Sequence, residues 1–255
     1  MSKNDFITNV ETVRLPSEGL VYSKPINPEF ELRPMTTQEE MLRLAPTQTP
    51  QKRLCDIIEN CIVGEKPSIS VYDMCLGDYY YLLHRLRVIT YGSNYKMLAT
   101  CPFCNSIFET TVNLSEIKIN RYNEELGDIL KVHLPRVDKD VELYFRTPRI
   151  LDEIEQKKKE MLKNSDGVLD PTILITLSKC IATFNGVALS PIQQETLPRN
   201  LQLLDAKMIL NHLSKFDESI GPEPLLEIKC ENKQCGRDII VPFQYNSGFI
   251  DPVIY

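Results

Sequence analysis

Cys101-Pro102-Phe103-Cys104 and Cys230-Glu231-Asn232-Lys233-Gln234-Cys235 are the two stretches on which the reading of this 255-residue chain turns. Each is followed by a run rich in β-branched and aromatic residues. The first is followed by Ile107-Phe108-Glu109-Thr110-Thr111-Val112-Asn113-Leu114 and the second by Asp238-Ile239-Ile240-Val241-Pro242-Phe243. Such runs favour strands. A thiolate is a soft ligand, and structural zinc takes four ligands in a tetrahedron, so two short loops offering two sulfurs each match that demand. Cys101, Cys104, Cys230 and Cys235 are therefore the expected ligands of one structural Zn²⁺, and the two knuckles read as halves of a split four-cysteine zinc ribbon. The 125 residues between Cys104 and Cys230 become an insertion, and the metal clamps together segments far apart in sequence.

Two features weigh against this reading. Cys-Pro-Phe-Cys also fits a thioredoxin-type redox pair, but that chemistry needs a helix N-terminus to lower the thiol pKa, and a strand is expected here. The C-x₄-C spacing of the second pair is looser than the usual C-x₂-C. Cys55, Cys61, Cys75 and Cys180 stand singly on apolar helical stripes, where buried free thiols behave as small hydrophobes.

With 42% hydrophobic residues the chain can bury one sizeable core or two small ones, and no segment is long and apolar enough to cross a bilayer. Its N-terminal stretch lacks the basic start and apolar run of a secretory signal, which places the expected site of folding in a reducing cytoplasm and favours thiolate-metal chemistry over disulfides. The net charge of −6 opposes non-specific nucleic-acid binding. Around the second knuckle Lys229, Lys233 and Arg237 are offset by Glu227, Glu231 and Asp238, and around the first Lys96 stands against Glu109 and Glu116. With no basic stripe at the metal, the ribbon reads as structural.

Along the chain, residues 1–34 carry prolines that forbid a helix and read as an extended arm with short strands. Thr36-Thr37-Gln38-Glu39 fits a capping box for a helix running to Leu44. Pro46 and Pro50 are expected to break the chain before a second helix carrying Leu54, Ile57, Ile58 and Cys61 and ending at Gly64. A third helix spans about 78–90, with Gly92 beyond its end and with Arg85 and Arg87 on its surface. Partial burial accounts for Tyr79-Tyr80-Tyr81. In the insertion, Val141–Phe145 reads as a strand after an Asp138-Lys139-Asp140 turn, and Thr147-Pro148 opens a helix with Leu151, Ile154, Met161 and Leu162 inward. Asp170-Pro171 opens another that runs through Phe184 to Asn185-Gly186. A last helix, 200–216, groups Leu201, Leu204, Met208 and Leu213, and Leu225–Ile228 forms a strand feeding the second knuckle.

No catalytic constellation appears. His84, His133 and His212 have no ligand spacing, and there is neither a G-x-S-x-G nor a glycine-rich phosphate loop. The chain reads as a scaffold rather than an enzyme.

The order of several motifs resembles the baseplate hub and tail-assembly proteins of contractile-tailed, T-even-type phages. These are Leu15-Pro16-Ser17-x-Gly19-Leu20-Val21-Tyr22, Thr37-x-x-Glu40 ahead of a leucine, Gly77-Asp78-x-x-Tyr81-Leu82-Leu83, Arg87-x-x-Thr90-Tyr91-Gly92-x-x-Tyr95, and Cys101-Pro102-x-Cys104. The C-x₄-C knuckle departs from that pattern, which bears on the fourth ligand. The resemblance implies a non-enzymatic virion structural protein of the tail baseplate or its assembly pathway, assembled in the host cytoplasm. It would engage other baseplate and tail proteins in a hetero-oligomeric complex; from the sequence itself, no membrane partner is expected and the acidic charge argues against a nucleic-acid one. The alternative is a cytoplasmic zinc-ribbon adaptor for nucleic acid or a transcription complex.

The expected fold is α+β, helical regions with small antiparallel strands around the split ribbon. Residues 1–50 form an extended arm with a short helix, 51–100 a helical segment, 101–119 and 225–245 the two ribbon halves, 120–224 the inserted strand-plus-helix region and 246–255 a C-terminal tail. Residues 1–34 and the segment from Phe249 to Tyr255 are expected to pack against neighbouring chains.

Overall fold

The structure is a computed structural model that describes residues 9–164, 170–245 and 248–251. It is α+β, with helices packed on small antiparallel sheets. β1 (Glu11–Arg14) pairs with β2 (Glu29–Leu32), which pairs in turn with β3 (Ile62–Val63). Alternation along β2 turns Phe30 and Leu32 inward and leaves Glu29 and Glu31 in water.

α1 (Thr37–Leu44) starts at the expected capping box. The Thr36 hydroxyl accepts from the Gln38 amide, and the Glu39 carboxylate accepts from the Thr36 amide at 2.8 Å. Glu39 is buried and takes a two-pronged hydrogen bond from the buried Arg33 guanidinium, at 3.1 and 2.9 Å. Burial alone would push this carboxyl up, but the bonds from Arg33 and Thr36 outweigh it and hold it down at about 2. In the unfolded chain it titrates near 4.5, so its contribution is complete above pH 4.5 and is lost as pH falls from 4.5 towards 2. Urea denaturation at stepped pH is expected to show wild type losing stability over that window and Glu39→Gln losing much less. Parallel curves for the two proteins would contradict the assignment.

α2 (Pro50–Cys61) begins at the proline that was expected to break the chain, because the first position of a helix needs no amide donor. Its free amides are met from far away. Asp152, in the helix over Pro148–Asn164, accepts from Gln51 and Lys52 at 3.0 and 2.8 Å. α3 (Leu76–Tyr91) is the central helix, with Tyr79, Leu82, Leu83 and Leu86 fully buried and Gly92 closing it at φ 85°. Arg87 differs from its expected surface position. It is buried, and its guanidinium lies over the rings of Tyr91 and Tyr95 at 4.6 and 5.7 Å. Arg85 pairs with Glu11 on β1.

The expectation that the ends thread into other chains is overturned for the large apolar residues that these segments bury. Val13, Leu15, Ile26, Phe30 and Leu32 belong to the main core of this chain, and so do Phe249 and Ile250, both fully buried. Phe249 packs among Tyr95, Phe243 and Tyr245 with ring centroids 5.0 to 5.4 Å apart. Apolar residues this large leave water wherever a pocket is available, and the pocket is in the same molecule. Residues 1–8 and 252–255 of those segments lie outside the described residues.

The first cysteine pair lies between β4 (Asn94–Thr100) and β5 (Ile107–Asn113). β6 (Ile119–Asn120) and α4 (Leu126–Ile129) lead into the hairpin of β7 (Lys131–Leu134) and β8 (Lys139–Leu143), then α5 (Pro148–Asn164) and α6 (Thr172–Cys180). The helix expected to run through Phe184 ends at Cys180. Ile181–Phe184 is β9, paired with β8 on one side and β10 (Val187–Ala188) on the other. Asn185-Gly186, read as a helix stop, is the turn between β9 and β10. Both residues have positive φ, 52° and 76°, as a two-residue hairpin requires. The single helix expected over 200–216 is two helices, α7 (Pro191–Asn200) and α8 (Leu203–Ser219). Leu204 and Leu162, expected inward, are exposed.

This inserted body has its own core, in which Val132, Leu134, Val141 and Leu143 of the sheet meet Leu177, Ile209 and Leu213 of α6 and α8. It joins the main body where β6 pairs with β11 (Gly221–Pro222) and where Gly77 and Gly221 touch backbone to backbone. A Cβ on Gly77 would overlap Ile220, and one on Gly221 would overlap the Gly77 backbone. β12 (Leu225–Lys229) and β13 (Asp238–Pro242) then form the hairpin that carries the second cysteine pair.

Candidate metal centre

Both knuckles are hairpin loops. The strand β4, which precedes the first knuckle, lies within the segment read as helical from sequence, and β5 follows it, so no helix starts at Cys104 as a redox pair would need. In the first loop the Cys101 amide donates to the Ser106 carbonyl at 3.0 Å and the Asn105 amide to the Cys101 carbonyl at 2.9 Å, with Asn105 left-handed at φ 54°. The second loop repeats the device. The Cys230 amide donates to the Arg237 carbonyl at 2.9 Å, and Gly236 is left-handed at φ 56°. Its two additional residues are absorbed by a turn at Asn232, whose side-chain oxygen accepts from the Gln234 amide at 3.0 Å while its carbonyl accepts from Cys235 at 2.8 Å. The looser C-x₄-C spacing thus still brings Cys235 to the other three sulfurs.

The four sulfurs of Cys101, Cys104, Cys230 and Cys235 lie within 4.8 Å of one another, so this cluster could hold a metal ion. Its short edges cross between knuckles, Cys101 to Cys235 and Cys104 to Cys230, each at 3.8 Å. Cys101 and Cys230 are buried against the main core, Cys235 is partly covered and Cys104 faces water. The Ser106 hydroxyl and amide donate to Cys104 and pull its thiol down to about 6, whereas Cys235, despite a hydrogen bond from the Arg237 backbone, is pushed up to about 11 by burial and the neighbouring sulfurs. The other cysteines are separate and buried, and burial pushes Cys61 and Cys180 up to about 12, which keeps them protonated and inert. Two contributors were missed from sequence, Ser106 and Asn232, because neither residue type marks a metal site. The only signal was their position within two residues of a cysteine of the cluster. Arg237 lies over the exposed Phe103 ring at 4.8 Å, so a cation of one knuckle covers an aromatic of the other.

Two of the motifs that carried the family resemblance, Leu15–Tyr22 and Gly77–Leu83, also meet each other. Asp78 at the start of α3 is fully buried and accepts from the Ser17 amide at 3.0 Å, from the Ser17 hydroxyl, and from the Tyr22 hydroxyl at 2.6 Å. They therefore describe a buried polar latch between the arm and the central helix.

The family model of the T4 bacteriophage base plate protein matches residues 7–250. The chain belongs to that family and is a structural component of a phage tail. No curated protein and no solved structure matches it. Among the described residues, no helix is long and apolar enough to cross a membrane.

Proposed function

We propose that this chain is a zinc-stapled, non-enzymatic structural or assembly component of the baseplate hub, acting through contacts with other tail proteins in a hetero-oligomeric complex built in the host cytoplasm. The family match carries the baseplate part of this reading. The sulfur geometry supports the zinc part. A tetrahedron with metal–sulfur bonds of about 2.3 Å has sulfur–sulfur edges of roughly 3.8 Å, the separation of both cross-knuckle pairs. Cys101, Cys104, Cys230 and Cys235 would hold the ion as four thiolates, leaving no open position for a substrate, so its contribution would be cross-linking. On this reading the two hairpins are the halves of one zinc ribbon, and the body between them is an insertion.

The outer faces of those hairpins support the protein–protein part. Leu98, Phe103, Ile107, Leu225 and Ile240 project into water there. β5 and β12 flank a groove of about 810 Å³ without pairing to each other, and each has a single ladder partner, so their outer edges keep unpaired backbone groups. The nucleic-acid alternative gains nothing from this surface, where Glu116, Glu223 and Glu227 outnumber Lys118 and Lys229 along the groove. The test is a Leu98→Asp/Ile240→Asp double variant supplied during infection by phage lacking the wild-type protein. The variant is expected to fold and load metal as wild type does, yet to be missing from purified baseplates or baseplate intermediates. Incorporation at the wild-type level would remove the hairpin faces from the assembly role.

A further inference from the structure

We propose that Ser106 and Asn232 are positioning residues for the metal, a cross-knuckle pair of hydrogen-bond donors that locks the exposed corner of the cysteine cluster. The inference rests on the metal reading above and concerns what keeps the ion in place.

The cluster is asymmetric. Cys101 and Cys230 are shielded by the core, whereas Cys104 faces water. Metal loss from a thiolate site proceeds by protonation or displacement of one sulfur, and the sulfur reached first by water or a chelator is Cys104. Both non-cysteine polar side chains at the cluster converge on that atom. The Ser106 oxygen lies 3.0 Å from Cys104 Sγ and 3.6 Å from Cys230 Sγ, so its one hydrogen can serve a sulfur of either knuckle. Asn232, from the other knuckle, directs its amide nitrogen to Cys104 Sγ at 3.7 Å.

The Asn232 amide has its orientation set by the loop. Its oxygen is held by the Gln234 backbone amide at 3.0 Å, which leaves the nitrogen as the end that faces sulfur. The same side chain that shapes the C-x₄-C turn therefore donates to a ligand of the opposite knuckle. Donors to a ligating sulfur spread its charge, fix its rotamer and oppose its protonation, and loss of such outer partners typically lowers metal affinity about 10- to 100-fold.

The test uses the full chain loaded with zinc, and in parallel with Co²⁺ as a spectroscopic substitute. Variants are Ser106→Ala, Ser106→Thr and Asn232→Asp, the last of which keeps the oxygen that the Gln234 amide needs while removing the donor. Zinc transfer to a chromophoric chelator is expected to be about 10- to 100-fold faster for Ser106→Ala, near wild type for Ser106→Thr, and faster for Asn232→Asp. The sulfur-to-cobalt charge-transfer band is expected to shift in Ser106→Ala and to return in Ser106→Thr, a pattern that a purely structural serine would not give. A loaded wild type whose Ser106→Ala and Asn232→Asp variants keep its release rate and its cobalt spectrum would overturn this inference alone. A wild-type chain that carries no metal would overturn the metal reading and this inference with it.

Discussion

Serine in place of Cys101 or Cys235 is expected to empty the metal centre and to remove most of the soluble folded protein, while the wild type carries about one zinc per chain. Structural zinc contributes roughly 10 to 16 kcal/mol of apparent binding free energy, against roughly 5 to 15 kcal/mol of net stability for a typical domain. Removing it is therefore comparable to removing the fold of whatever it holds. What a bound ion would hold is defined by the packing. An isolated two-stranded hairpin is marginal in water, and both hairpins here are two-stranded. Their inner residues, among them Ala99, Leu226, Ile239 and Val241, belong to the main core. Chelation should release β4, β5, β12 and β13 together and expose that core. The helix α6 packs instead in the separate core of the insertion, so loosening through Phe184, which a clamp around the whole insertion would give, is not expected. Hydrogen exchange before and after chelation checks this through protection lost first in the four strands. Metal analysis showing no zinc in protein purified without chelators, or unchanged strand protection after zinc is stripped, would defeat the staple.

The cysteine quartet was the most legible part of the sequence because its signal is chemical. Four thiols in two short loops imply a tetrahedral site whatever lies between them, and the structure brings those four sulfurs together. The capping box that opens α1 and the glycine that closes α3 were legible too. Errors arose where a local signal had two physical meanings. Asn185-Gly186 satisfies a helix stop and a hairpin turn equally, and only the partner strand β8 decides between them. Ile181–Phe184 continues a helical stripe but is β-branched and aromatic, and pairing outweighed periodicity. Pro50 both ends one segment and opens the next. The destination of the chain ends was illegible because apolar residues such as Leu15 and Phe249 look the same whether their pocket belongs to the same chain or to a neighbour. Ser106 and Asn232 were illegible because hydrogen bonds to sulfur have no sequence period.

The arm's latch offers the second large effect. Asp78→Ala is expected to cost about 3 to 5 kcal/mol, since it strands the Ser17 amide and hydroxyl in a buried site and leaves the Tyr22 hydroxyl only the weak Cys75 sulfur as acceptor, and each unmet donor costs roughly 1 to 3 kcal/mol. Burial pushes the Asp78 carboxyl up, and the donors from Ser17 and Tyr22 pull against it, so the site is costly to build and is maintained only while all its partners are in place. The consequences reach beyond one residue. Ser17 lies between Leu15 and Gly19 on the arm, and Asp78 is next to Gly77, whose backbone touches Gly221 at the seam with the insertion. Loss of the latch should therefore free the arm and weaken the seam. For a chain of this size such a loss lowers the melting temperature by about 10 °C, with the zinc content unchanged because Ser17, Tyr22 and Asp78 bond to one another and not to the four clustered cysteines. Ser17→Ala and Tyr22→Phe should each cost less, and each should cost less again in the Asp78→Ala background, because the partner is already gone. Thermal denaturation of the single and double variants, with metal content measured on each, is the check. An Asp78→Ala protein melting within about 2 °C of wild type, or strictly additive effects across the three positions, would show that the arm is held by its apolar residues alone and that the shared motif has no part in holding it.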